Sequence, residues 1–224
     1  MRQFPPIAVL TGDIVGSTKA TPDAVSQALS SVQSLVEYIA TGTPSSTGAH
    51  FTRFRGDGWQ CVVDDPHLAP RVAIAIMAKL RAAPSGLETR IAISIGSYTT
   101  LGSTNLSDAN GDVFEKSGRA LDNMPKHARI ALHWDQATRT DTIALTLISE
   151  RTSKWSQQQA EAMAQILSPH PPTLAIIAER LGISSQAVSY RLSGAGASAI
   201  RRAIDLWEDD LIERLTLNED QPHA

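Results

Sequence analysis

The order in which two hydrophobic periodicities alternate is what most constrains the fold of this chain. IAVL, following Pro5 and Pro6, is a short apolar run expected as a buried strand over about 6–12. Thr21-Pro22-Asp23 then reads as a helix start, with Thr21 as cap and Pro22 at the first helical position. Val25, Ala28, Leu29, Val32, Leu35, Val36 and Ile39 recur at spacings of three and four, one face of an amphipathic helix. TGTPSSTG (41–48) is loop by composition. HFTRFRGDGWQCVV contains two strand-like runs around Gly56-Asp57-Gly58, a hairpin signal. Asp65-Pro66 opens a second helix with Val72, Ile76 and Leu80 on one face, and TRIAISIGSYT (89–99) is another strand. The order β-α-β-β-α-β predicts an α+β fold of the ferredoxin-like, split-βαβ type. A helix around 111–123 and a strand around 127–134 extend it.

Beyond about 140 the pattern becomes all-helical, and SPHPPT, with three prolines, reads as a linker. The expected division is an αβ domain over 1–138, a helical connector over 139–169, a small all-α helix-turn-helix domain over 170–217 and a flexible tail over 218–224. The 224 residues are 42% hydrophobic and 19% charged with a net charge of −3, an ordinary globular composition that argues against a generally basic, nucleic-acid-coating chain. Cys61 is the single cysteine, so no internal disulfide framework exists and its strand position points to the core. With no signal-peptide pattern and no apolar run of membrane-spanning length, a reducing cytoplasm is the expected compartment and no membrane partner is expected.

The predicted strand order has a chemical consequence. Strand one lies antiparallel beside strand three in such a fold, so the end of strand one adjoins the turn between strands two and three. Asp13 and Asp57 are therefore expected close together. Unpaired, they would repel and one pKa would rise. A divalent cation would relieve this, and Mg²⁺ favours one or two carboxylates completed by substrate phosphates. Gly16, Ser17 and Thr18 lead toward a helix start, where free backbone N–H groups favour anions. The plainer alternative is turn chemistry at Asp57-Gly58 and a loop cap at Asp13.

The DIVGST stretch, the strand-borne GDG and the GDVFEKSGRAL helix together resemble the class III adenylate/guanylate cyclase catalytic domain. The resemblance implies that Asp13 and Asp57 bind Mg²⁺ or Mn²⁺, and that Ile14, Val15, Gly16, Ser17 and Thr18 contact the phosphates of a nucleoside triphosphate. It places the base-selecting lysine position on Arg53, the base-contacting aspartate on Asp108 and the transition-state arginine on Arg119. Glu115 stands where the family has a transition-state asparagine. Arginine for lysine keeps charge but not shape, and Glu115 adds negative charge beside a triphosphate, so binding is better supported than turnover. The family's shared sites imply a head-to-tail homodimer.

LAIIAERLGISSQAVSYRL (174–192) has helix-turn-helix spacing, with Ala178 small at the helix crossing, Gly182 at the turn and Ile183 and Val188 inward. The second helix would present Ser185, Gln186, Ser189 and Tyr190 outward. Gln186 could read adenine in double-stranded DNA, with Arg191, Arg201 and Arg202 on phosphates. Across 173–202 four arginines oppose one acid, Glu179, whereas across 203–216 five acids oppose Arg214, so one copy would bind DNA modestly. The alternative is a helical hairpin used for packing or dimerisation. In the same order over nearly the whole length, AVLTGDIVGST, the GD hairpin, IAISIG, GDVFEKSGRAL, SKWSQQQ and AERLGISSQAVSYRL resemble the SatD family, although Gly58 stands where that family commonly has an acid. The preferred reading is a nucleotide- and Mg²⁺-binding transcriptional regulator on a cyclase-like domain. The alternatives are an active nucleotidyl cyclase or related nucleotide-condensing enzyme, with Arg119 and Glu115 at the reacting phosphate, and a scaffold whose helical tail only dimerises.

Overall fold

The computed structural model describes residues 4–42, 48–54, 56–102, 105–168 and 170–219. Five strands form one sheet: β1 (Ile7–Val15), β2 (Phe51–Phe54), β3 (Gly58–Val63), β4 (Glu88–Gly96) and β5 (Ile130–His133). Their spatial order is β2-β3-β1-β4-β5, with β1 antiparallel to both β3 and β4 and β5 parallel to β4. β1 runs three residues past its expected end because Asp13, Ile14 and Val15 continue the ladder with Arg90, Thr89 and Glu88. Asp13 therefore sits within a paired strand rather than in a loop.

Alternation along β1 separates two faces. Ala8, Leu10 and Ile14 face the helices α1 (Pro22–Thr41) and α2 (Ala69–Ala82), in a core that also holds Trp59 and Cys61. Burial raises the Cys61 thiol far above its ordinary pKa, so it is an inert core group. Ile7 and Val9 face the opposite way, packing with Leu106 and with Val113 of α3 (Asp112–Asp122). Thr21 caps α1 by accepting the Ala24 N–H at 3.2 Å, and Pro22 occupies its first turn. At Gly12 a Cβ would lie 2.4 Å from the Trp59 ring, so only glycine lets that indole lie across β1.

Five helices follow: α4 (Arg139–Ser153), α5 (Gln157–Ile166), α6 (Leu174–Leu181), α7 (Ser185–Ala195) and α8 (Ala197–Glu219). Capping boxes at Thr138/Asp141 and Ser156/Gln159 start α4 and α5. Gly182, at φ 64°, ends α6, and Ser184 caps α7 by accepting the Ala187 N–H at 3.2 Å. The helices continue the core of the αβ part without a break: Trp155, Met163, Ile177, Val188, Ile204 and Leu211 join one cluster with the α1/α2 face of the sheet. Arg71 of α2 ties α8 down, donating to Glu208 at 2.6 and 2.7 Å and to Asp205 at 2.7 Å. The acid excess of 203–216 thus has an internal use. α8 runs to Glu219, past the start of the expected tail, and 220–224 lie outside the described residues. Among the described residues no helix is long and apolar enough to cross a membrane.

Candidate functional site

The register of the three central strands builds the site. Asp13 pairs with Gly58 on one flank and Arg90 on the other, and Asp57 occupies the turn just before β3. Both expected carboxylates therefore lie at one end of the sheet. Asp13 shares the α3 face with Thr11, whose Oγ1 lies 2.7 Å from Ser117 Oγ of α3 and accepts from Gln60 Nε2 at 2.8 Å. These buried polar contacts fix α3 against β1 and β3.

The structure brings a residue to Asp13 that sequence reasoning missed. Arg90 grips the carboxylate with two donors, Nε to Oδ1 at 3.0 Å and Nη2 to Oδ2, and both side chains are 27% exposed. Such paired donation is the strong form of a charge-assisted contact. The pair is braced from behind: Thr89 Oγ1 donates to the Asp13 carbonyl at 2.7 Å, and Trp59 Nε1 donates to Thr89 Oγ1 at 3.2 Å. The hydrogen bond to Asp13 holds the Arg90 guanidinium above its ordinary pKa despite partial burial, with smaller contributions from the charges of Asp13, Asp122 and Asp57. The signal available in the sequence was a single charge on the alternating strand TRIAISIG, two residues before Ala92, which faces Leu121 of α3.

The second carboxylate, Asp57, accepts the Ser17 hydroxyl. That contact ties the Ser17–Lys19 turn to the turn just before β3. Val15 closes β1 half-buried, and Ile14 is buried in the core, so the Ile14 side chain is not offered to a ligand. Gly16 adopts φ 71°, which favours glycine, and starts a three-residue 3₁₀ turn over Ser17–Lys19. Within it the N–H groups of Lys19 and Ala20 donate to the carbonyls of Gly16 and Ser17 at 2.9 and 3.1 Å. Those bonds use the Lys19 and Ala20 N–H groups, α1 begins only at Pro22, and Thr18 is exposed in the turn.

The remaining expected residues sit apart from Asp13. Val113, Ser117 and Leu121 form the inward face of α3. Glu115 and Arg119 lie on its outer side, 77% and 67% exposed, and pair with each other at 3.6 Å. Arg53 is exposed on β2 and alternates with Thr52, so it lies on the same side as Phe51 and Trp59. Thr52 instead accepts the Leu106 N–H at 2.6 Å, which places the 3₁₀ turn Leu106–Asp108 on the opposite side of β2. Arg53 and Asp108 therefore do not share one face of that strand. On α7, Ser185, Gln186, Ser189 and Tyr190 are exposed together, with Gln186 Nε2 donating to Tyr190 Oη at 3.3 Å. Arg191 is turned away from them, paired with Glu161 of α5 at 2.9 Å, because its position on α7 faces α5.

A metal ion at this end of the sheet would be held by Asp13 and Asp57. Among the described residues no group of three or more His, Cys, Asp or Glu side chains forms a metal cluster. The donor chemistry nevertheless suits a hard divalent cation, since Asp13, paired with Gly58, and the adjacent Asp57 offer carboxylate oxygens at one end of the sheet. Such a cation competes with Arg90 for Asp13.

Several solved structures are similar to part of this chain. The guanylyl cyclase Cya2 matches over 54% of this chain and 71% of its own, at 20% identity and TM-score 0.39. A bacterial light-regulated adenylyl cyclase matches over 59% of this chain at 17% identity and TM-score 0.42, and the match spans only 44% of that protein. The dimeric guanylyl cyclase domain of the RhoGC fusion protein from the aquatic fungus Blastocladiella emersonii matches over 55% of this chain and 76% of its own, at 18% identity and TM-score 0.41. At this level the likeness is one of partial chain course and carries no chemistry across. No family model matches the sequence, and no curated protein matches it.

Proposed function

We propose that the Asp13 end of the sheet binds a nucleoside triphosphate with Mg²⁺ or Mn²⁺, and that the chain is a nucleotide-responsive regulator on a cyclase-like, split-βαβ domain of the SatD type. The observation that carries this reading is the Arg90–Asp13 pair, next to Asp57 and the Ser17–Thr18 turn, where Thr18 is exposed. A guanidinium in a half-buried acidic pair is poised to exchange its carboxylate for a phosphate. Asp13 and Asp57 would hold the cation, which when bound neutralises phosphate charge and orients the triphosphate. Arg90 binds phosphate oxygens once released from Asp13, and the Ser17–Lys19 turn is tied to the turn just before β3.

The outward placement of Glu115 and Arg119 favours a shared site. In one chain they point away from Asp13, so a head-to-tail homodimer would be needed to complete the phosphate contacts and any cyclisation. Arg53 and Asp108, on opposite sides of β2, give weaker support for base selection within one chain. A helix-turn-helix role of α6 and α7 rests on the exposed Ser185, Gln186, Ser189 and Tyr190, with Arg201 and Arg202 on α8 as the phosphate contacts and Arg191 excluded by its pairing.

Calorimetric titration with non-hydrolysable ATP and GTP analogues, with and without Mg²⁺, tests the central claim. Saturable binding that Asp57→Ala weakens is the expected result. A folded wild-type protein that binds neither analogue in either condition contradicts it.

A further inference from the structure

Away from the Asp13 face, four helices converge on a second cavity of about 180 Å³. α1 contributes Ser34 and Tyr38, α2 Lys79, α5 Gln165 and α6 Arg180, and Ser168 closes the rim. Among the described residues, none that lines it is acidic. Arg180 Nη1 donates to the neutral Gln165 Oε1 at 3.1 Å, and the Ser168 hydroxyl donates to Tyr38 Oη at 3.4 Å. Neither Lys79 nor Arg180 has an ion-pair partner among the described residues.

Some of the chain's other arginines are held by acids. Arg71, Arg81, Arg90, Arg129, Arg191 and Arg214 all meet carboxylates. Here two cations from different helices line one hollow without a carboxylate beside them. The other polar groups at the rim are two serine hydroxyls, a phenol and an amide, all able to donate hydrogen bonds. A cavity of this size is several times the ~30 Å³ of a water molecule and below the ~300–1,000 Å³ of organic-ligand pockets. Size, positive charge and donor-rich walls together select a small oxyanion.

We propose that this cavity is a binding site for a small oxyanion of the phosphate class, either free or as the end of a small phosphomonoester. Bound there, the anion meets both Lys79 and Arg180 and bridges α6 to α1 and α2. Because α6 leads directly into α7, occupancy stiffens the mount of the exposed α7 face. The site is separate from the Arg90 pair and does not depend on nucleotide binding there.

The test is titration of the whole chain with inorganic phosphate, by calorimetry and by thermal unfolding, against chloride at equal ionic strength. Saturable binding and a phosphate-specific rise in Tm are expected. Lys79→Gln with Arg180→Gln weakens binding at least roughly tenfold, whereas Arg90→Gln leaves it intact. Both substituted side chains are exposed, so an unchanged Tm in chloride verifies that the double variant is folded. A β-glycerophosphate titration identifies the source: competition with phosphate extends the site to phosphomonoesters, and its absence restricts the site to the free ion. No saturable binding overturns the proposal. So does binding that survives the double variant, or that Arg90→Gln abolishes.

Discussion

Arg90 is the residue on which the Asp13 site turns. Two carboxylates at one sheet end need a positive charge, and the fold supplies a guanidinium from the neighbouring strand. A metal ion then has to compete with an internal cation, whereas a metal–nucleotide complex offers a partner to each half of the pair. Arg90→Gln is therefore expected to strengthen binding of Mn²⁺ alone by freeing Asp13, and to weaken binding of the metal–nucleotide complex roughly tenfold through loss of a charged donor. Titration of Mn²⁺ followed by electron paramagnetic resonance, beside nucleotide calorimetry, reads the two effects separately. Equal or weaker Mn²⁺ affinity in the variant would remove Arg90 as the competitor.

Among the elements, α4 shows how a local signal acquires a long-range task. Thr138 and Asp141 cap α4, with the Thr138 N–H donating to Asp141 Oδ2 at 2.6 Å. Asp141 also accepts from Trp207 Nε1 at 2.6 Å and from Arg214 at 2.8 and 3.0 Å, so the cap of α4 is the anchor of α8. Burial alone would raise the Asp141 carboxyl, but the Arg214, Thr138 and Trp207 contacts outweigh it and hold the group below its ordinary 3.8. A depressed folded pKa means stability that is fully present above the unfolded value and lost as pH falls through the folded one. Asp141→Asn should therefore cost about 3 kcal/mol at neutral pH, the usual loss on breaking a buried pair. The wild-type and variant urea curves should converge in acid, where the wild-type carboxyl is protonated. A constant gap across pH would mean that the contacts, not the charge, hold α8.

For the molecule as a whole, the continuous core decides how the two halves behave. The sequence reads as an αβ domain joined by a proline-rich linker to a separate helical one. Yet the buried side chains of α5, α7 and α8 are part of the α1/α2 core, and Arg71 crosses the junction. Unfolding should accordingly be a single transition. Trp59 emission, reporting the sheet, and Trp207 emission, reporting α8, should give coincident urea midpoints in single-tryptophan variants. Arg71→Ala should lower both together by about 3 kcal/mol, because it leaves Asp205 and Glu208 without their cation. Two separated midpoints would restore independent domains.

Sequence by itself determined the elements and the class of residue at the Asp13 site. Period-two and period-3.6 patterns, proline and glycine positions and helix caps are local, so the helix at Pro22, the hairpin at Asp57-Gly58 and the turn at Gly182 could be read from neighbouring residues. The proximity of Asp13 and Asp57 was also legible, because it follows from strand order alone. The partners of those residues were decided only by the tertiary structure. Arg90 lies 77 positions from Asp13, Glu208 lies 137 from Arg71 and Arg180 lies on a different helix from Lys79. Strand register, helix orientation and the docking of α8 set those distances. They are properties of the packed whole, in which low dielectric and burial give a charge its meaning, and no local spacing encodes them.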